Sequence, residues 1–374
     1  MKRFAALLVL SLAALPRFAE QKQVLSNVYP IVKKYKSMEG PAGTQIVYLG
    51  DHSKPELVWL TAIKTEVVAA DGKTLMSPEL MCHMNIDIDP ARHKALFNLE
   101  RLPAARLMTI SQGMRVPGGG FEARLPEGFA FPIASNEPLY VMTQVLNHNI
   151  EHPHNLNVRH RVTFEYVRDA DLKQRPRALF NLPVSGMVQM NTGSGVLLPL
   201  AIEDHGPSCL VGQRAPNAAG MASDYVDPQG HHMTGHWVVP PGKQVNASDA
   251  TWFMNLPYDS KLHYAAVHLH PFAQSLTLRD TTTDTDIFKA TARNPTGRVG
   301  LDRVDTFVSI AGVPMYKDHK YELISVYNNP TKQNADSMAS MFLALDDPEF
   351  VAPTPAQLAD RGVIITPGTG LILR

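Results

Sequence analysis

The sequence predicts an all-β protein built from two tandem antiparallel β-sandwich (jelly-roll-like) domains, and three observations carry that expectation. Short runs rich in β-branched and aromatic residues alternate with turn residues along most of the chain. Long amphipathic helices are scarce, which disfavours a βαβ architecture. A charged, apolar-poor passage, RDADLKQRPRALF at 168–180, carries Pro176 and separates two strand-rich halves as an interdomain linker. The expected organisation is a signal peptide over 1–19, a first domain over 20–170, a second over 171–350 and a C-terminal tail over 351–374.

Residues 2–15, KRFAALLVLSLAAL, set two basic residues before an apolar run. That is the architecture of a secretory signal, too short to span a bilayer, and it predicts a periplasmic or secreted protein. Residues 20–45 read as a polar lead-in with one short helix at VYPIVKKYKSM, 28–38. Strands are then expected at QIVYLG (45–50), at ELVWLTAIKTEVVAA (56–70, one strand or two) and at ELMCHMNIDID (79–89). Residues 91–100 allow a helical turn or two, and GGGFEARLPEGFAFPI (118–133) reads as loop, strand and turn. PLYVMTQVLNHNI (138–150) and NLNVRHRVTFEYV (155–167) complete the first half. The second half offers GMVQM, GVLLPL, HWVVPP, the long run 261–281, DTFVSIAG, YELISVYNN and SMASMFLAL, with a short helix at PAQLADRG.

Composition excludes some classes. The 374 residues hold 35 basic and 35 acidic side chains, which is not the footprint of a nucleic-acid binder. Cys82 and Cys209 are the only cysteines, so no disulfide network staples the fold; a single bridge between them stays open. Ten of the 15 histidines cluster at 148–160, 231–236 and 263–270, and histidine is the commonest metal ligand.

The run KLHYAAVHLHPFAQSLTLRDT at 261–281 organises the functional reading. Side chains two apart on a strand share a face, so His268 and His270 can converge on one point. Met338 enters a second apolar run. Two imidazoles and a thioether suit an ion that changes oxidation state, and copper fits better than zinc or magnesium. The first half holds a second constellation of Cys82, His83 and His148. Adjacent Cys82 and His83 reach one ion only if the strand is bulged or twisted; otherwise Cys82 packs as a small hydrophobe. His152, His154 or His160 are alternative third ligands. His231, His232, His236 and Trp237 line the site, orient its ligands or form a surface loop. His263, an odd number of residues from both pivot histidines, is expected to face away from them. His205 and Cys209 read as members of a structured loop.

The motifs VHLH (267–270), VYNNP (326–330), DSMASMFLAL (336–345), CHM (82–84) and QVLNHN (144–149) resemble those of the copper type II, ascorbate-dependent monooxygenases. The resemblance spans residues 45–345 and implies two copper ions, one per domain, facing each other across a solvent-filled cleft. It implies an oxygen-binding copper held by His268, His270 and Met338, and an electron-donating copper held by His83 and His148, with Cys82 in place of a family histidine. The implied activity is hydroxylation of an activated C–H bond with dioxygen and a small-molecule reductant. Ala266, Ser340 and Phe342 stand where the peptide-amidating members carry a clamp for the substrate carboxylate, so peptide amidation is not expected. Two other readings stand beside the enzyme: an exported copper-handling protein with this fold, and a β-sandwich module that binds another ligand.

Overall fold

The computed structural model describes residues 19–35, 39–99, 112–117, 122–189, 225–361, 364–365 and 372–373. The signal segment, the strand expected at GVLLPL, His205 and Cys209 lie outside the described residues.

The architecture is all-β, with α-helices among the described residues only at Pro90–Phe97, Thr251–Met254 and Pro355–Arg361. In the first half, Glu20–Leu25, Leu156–Arg168, Leu57–Ala69 and Phe129–Ala134 form one sheet in that order. Ala42–Val47, Leu139–Val145, Met81–Ile88 and Gln112–Pro117 form the other. Between them lies a core containing Trp59, Ile63, Met84, Ile86, Val141 and Phe164. The second half repeats the arrangement. Arg177–Ser185, Ala335–Asp346, Ser260–Leu269 and Phe307–Met315 make one sheet, and the strands from Gly242–Asp249 to Arg303–Val304 the opposing one. Their core contains Leu182, Trp237, Leu276, Leu323 and Leu343.

The passage between the halves is short. Leu156–Arg168 ends in a 3-10 turn at Asp169–Asp171, and the next strand already begins at Arg177. That strand pairs in parallel with the first half, Arg177 opposite Phe129, and antiparallel with Ala335–Asp346. One hydrogen-bonded sheet therefore runs from the first domain into the second, which fixes their mutual orientation. The tail also crosses back: Leu358 is buried in the first core, and Asn136 donates to its carbonyl at 3.3 Å.

Two segments differ from the sequence reading. The helix expected at 28–38 is, within its described residues 28–35, a strand at Tyr29–Ile31 paired with Leu156–Val158. Tyr29 and Ile31 are buried on one face, and Pro30 between them is exposed on an edge strand that tolerates its missing N–H. The polar lead-in Glu20–Leu25 is a strand as well, alternating half-buried and exposed along Leu156–Arg168. Alternation there is carried by Gln, Lys and Val rather than by large apolar residues, so it lacks a strong hydrophobic signal. The strand at 56–70 is one unbroken 13-residue element.

His160 sits in the first core, opposite Val67 and edge-on to Tyr29 at 6.1 Å. It is fully buried, neither ring nitrogen has a hydrogen-bond partner among the described residues, and burial pushes its pKa down to about 4. The folded value lies below the unfolded one. The neutral ring is therefore compatible with the fold above about 6.5, and stability falls as pH drops from there towards 4. The gap corresponds to about 3 kcal/mol. Urea unfolding at pH 7 and pH 4 should show this loss in the wild type and a smaller one in a His160→Leu variant. Parallel pH dependences in the two proteins would contradict it.

Candidate metal centre

The middle of the second domain is set by period-two alternation on two neighbouring strands. Ser260–Leu269 and Ala335–Asp346 run antiparallel, with His268 opposite Ser340 and Leu269 opposite Ala339. Ala265, Val267 and Leu269, with Ala339, Met341 and Leu343, enter the second core. The intervening residues face the first domain, where Tyr264, Ala266 and Ala344 join the first core. His268, Met338, Ser340 and Phe342 share this face. Both faces of the sheet are thus buried, and the polar side chains on one of them lie between the domains. Ser340 is satisfied there by the Ser185 hydroxyl at 2.7 Å.

His270 follows the strand by one residue, next to Pro271, and its backbone is fixed by Tyr327. The Tyr327 hydroxyl accepts the His270 N–H at 3.3 Å and donates to the Met338 carbonyl at 2.6 Å. One buried phenol therefore pins the backbones of two expected ligands to each other, and burial raises its pKa well above the ordinary range. Asp336, two residues before Met338, places Oδ2 2.8 Å from Nδ1 of His270. Burial alone would raise the Asp336 carboxyl; the charge of His270, with His148 adding to it, outweighs burial and holds it well below the usual range.

The first domain contributes from the facing side. The strand Met81–Ile88 has a register shift between Met81 and His83, so Cys82 occupies a β-bulge. The bulge brings Cys82 Sγ within 3.2 Å of His83 Nδ1 instead of sending the two side chains to opposite faces. Cys82 packs with Met338 and Phe342 in a small cluster between the domains. His148 follows the strand Leu139–Val145. The neighbouring Asn147 side chain accepts the Ile150 N–H at 2.9 Å and donates to the Lys33 carbonyl at 2.8 Å, which shapes the turn presenting His148. Burial lowers the His148 pKa, with Asp336 opposing the shift.

The expected ligands of both domains meet. Cys82, His148, His268 and His270 line one cavity of about 100 Å³. The ring centroids of His83 and His268 are 6.2 Å apart, and those of His268 and His270 are 5.3 Å apart. The expected solvent-filled cleft between two separate sites is replaced by direct ring contact of His83 with His268. Over the cavity lies the segment 298–302. Asn149 fastens it by accepting the Val299 N–H and donating to the Val299 carbonyl, both at 2.9 Å, and Arg298 pairs with Glu79 at 3.0 Å.

Among the described residues, no three His, Cys, Asp or Glu side chains already converge on a single point. The donors still fit a copper ion. Nε2 of His148 and Nε2 of His270 are buried without a hydrogen-bond partner among the described residues. Two rings sharing one ion at bonds of about 2 Å have centroids about 5–6 Å apart, which matches the spacing here. The thioether and thiol nearby are soft donors of the kind Cu(I) favours.

Other candidates are placed elsewhere. His152 and His154 are exposed, and His160 belongs to the first core. His231 is exposed and held by Asp227 at 2.9 Å, and His232 is exposed too. Trp237 is buried in the second core, whereas His236 on the same strand faces the cluster, tilted towards His270 at 6.2 Å between ring centroids. His263 stands at a second bulge, where it is fully buried, stacks on Phe129 at 4.0 Å and contacts the Ser309 carbonyl through Nδ1 at 2.9 Å. It faces the first domain through that bulge, not the solvent. The sequence reading missed Tyr327, Asp336 and the 298–302 segment. Only Asp336 had a local signal, a carboxylate two residues from Met338 on the same strand face.

No family model matches this chain, and no curated protein matches it. Solved structures give distant likenesses. The major capsid protein P2 from Bacteriophage PM2 is 7% identical over 89% of this chain and 100% of its own, at a TM-score of 0.33. The STIV MCP is 11% identical over 91% and 99%, at 0.29. PNGase F is 9% identical over 89% and 97%, at 0.34.

Replacing Tyr327 by Phe removes the bridge and leaves a buried N–H and a buried carbonyl without that partner. Urea unfolding should show a loss of about 1–3 kcal/mol. A change within about 0.5 kcal/mol would show that the phenol does not hold the two strands together.

Proposed function

We propose that this protein is an exported copper-dependent monooxygenase that hydroxylates an activated C–H bond of a small substrate, using dioxygen and an external reductant. The observation that supports it is the gathering of His148, His268 and His270, from two domains, around one interdomain cavity, with the His83 ring 6.2 Å from that of His268 and Met338 buried against Cys82. A copper bound there would supply one-electron redox chemistry and dioxygen activation.

The chain's own share is positional. His268 and His270 present imidazoles from one strand end, and Met338 brings its thioether from the neighbouring strand. Tyr327 fixes the distance between their backbones. Asp336 engages Nδ1 of His270, which leaves Nε2 as the ligating nitrogen. His83 and His148 would hold a second ion, which would supply the further electron the chemistry needs. The segment 298–302, fastened through Asn149, limits water entry to the cavity.

The lining also narrows the substrate. Ala266 and Phe342 are buried and apolar on the clamp-bearing face, and Arg298 is already paired with Glu79 and Asp302. Leu146, Leu269 and Leu301 complete a largely apolar wall. A neutral or weakly polar substrate suits it better than a carboxylate.

A copper-handling role is the second reading. It is favoured by Cys82, whose sulfur adjoins His83 and packs against Met338 in an arrangement suited to retaining Cu(I). Copper content after loading and desalting, measured in the wild type, His268→Ala and Met338→Ala, tests the shared premise. Copper at both sites is expected in the wild type, with His268→Ala losing the C-terminal ion and Met338→Ala binding it more weakly. Unchanged uptake in both variants would overturn the site. Reductant-dependent oxygen consumption by the copper-loaded wild type, lost in His268→Ala, is expected of the enzyme; its absence would leave the handling role.

A further inference from the structure

The loop from Asn294 to Asp302 joins Thr285–Arg293 to Arg303–Val304, and both its ends are anchored in the second domain. Asn294 accepts the Phe272 N–H and donates to the Ala273 carbonyl, each at 2.7 Å. At the other end the Asp302 N–H donates to the Arg293 carbonyl at 2.8 Å, and Leu301 packs against the second core. Between these anchors the tip crosses to the first domain. Asn149 grips both backbone groups of Val299, and its side-chain N–H also donates to Glu79 Oε2 at 3.1 Å. Arg298 reaches the same carboxylate oxygen at 3.0 Å. Gly297 and Gly300 flank this latched pair, with φ of +76° and +151°. Space is open where a Cβ would stand on either, so glycine serves the backbone conformation there and not a close approach.

Beneath the tip lies the interdomain cavity, with Cys82, His148, His268 and His270 in its wall. Its volume of about 100 Å³ has room for a few water molecules. Sites for small organic molecules span about 300–1,000 Å³, so the closed cavity does not seat the substrate proposed above. We propose that residues 297–300 are a gate: Arg298 and Val299 swing out on Gly297 and Gly300, and release of their contacts with Asn149 and Glu79 opens the cavity to small molecules. Hinges of this kind are a few loop positions that absorb a change in φ and ψ while their neighbours stay fixed. Asn294 and Leu301 are the fixed neighbours here. The latch is polar, so water replaces its hydrogen bonds when it opens, and each bond lost costs little. Closure needs the two domains at a set spacing, which the strand shared between them supplies. The size argument rests on the substrate of the proposed function; the latch and the hinges do not depend on copper.

The test uses the full chain freed of metal, with Cys209→Ser leaving Cys82 as its one thiol. Cys82 is buried on the cavity wall, so the rate at which a small maleimide labels it reads the open population of the gate. A Cys82→Ser/Cys209→Ser protein sets the blank. Asn149→Ala removes both bonds to Val299 and should speed labelling about 10-fold or more. Gly297→Ala strains the closed turn without touching the latch and should speed labelling as well. The urea midpoint of unfolding should stay at its starting value in both. Labelling should also respond to urea far less steeply than unfolding does, because a local opening exposes little surface. An unchanged rate in either variant would overturn the gate. Labelling that rises only with a lowered urea midpoint, or that tracks urea as steeply as unfolding, would overturn it too, since Cys82 would then be reached by unfolding. No copper enters this experiment. Failed copper uptake beside gated labelling would therefore strike the metal and leave the gate.

Discussion

The constraint on which the rest depends is that the sheet holding Ser260–Leu269 and Ala335–Asp346 is buried on both faces. In an ordinary sandwich one face packs on the core and the other meets water. Here the second face meets another domain. Apolar residues account for most of that contact, with Tyr264, Ala266 and Ala344 continuing into the first core. Where the same face carries His268 and Met338, imidazole and thioether are shut between the domains. Burying polar rings in this way costs free energy unless they gain partners. Asp336 and the histidines of the facing domain are the partners at hand.

The shared sheet makes the arrangement stable in position. Arg177 and Ala178 pair with Phe129 and Ala130, and the same strand then pairs along most of its length with Ala335–Asp346. Stacking of His263 on Phe129 and the return of Leu358 to the first core add further contacts across the boundary. The two domains therefore present His83 and His148 to His268 and His270 at a defined spacing. Ring contact between His83 and His268 brings the two ligand sets much closer than a pair of sites across open solvent would stand.

Much of the fold was legible because strand periodicity is local. Leu57–Ala69 and Leu156–Arg168 are visible as runs of β-branched and aromatic residues, and the turn at Asp71-Gly72 marks the end of the first. Tyr29–Ile31 was not, since Lys33, Lys34 and Tyr35 suggest a helical face while the pairing partner lies more than a hundred residues away. The candidate site divides in the same manner. His-x-His spacing on one strand exposes His268 and His270 to a reader of sequence. The bulge at Cys82 could be stated as a condition but not deduced, because bulges arise from the register of neighbouring strands. His236, Tyr327 and Asp336 owe their places to pairings between distant segments. His160 and His263 show the converse, histidines that resemble ligands in sequence and are absorbed by packing.

Imidazoles and a thioether of this interface are proposed to hold one copper ion. Anomalous diffraction at the copper edge, from crystals of the full chain loaded with Cu(I), addresses it most directly. A peak is expected within bonding distance of Met338 Sδ and of the His268 and His270 rings. Density showing Met338 still packed on Cys82 and Phe342, with no peak beside either imidazole, would contradict it.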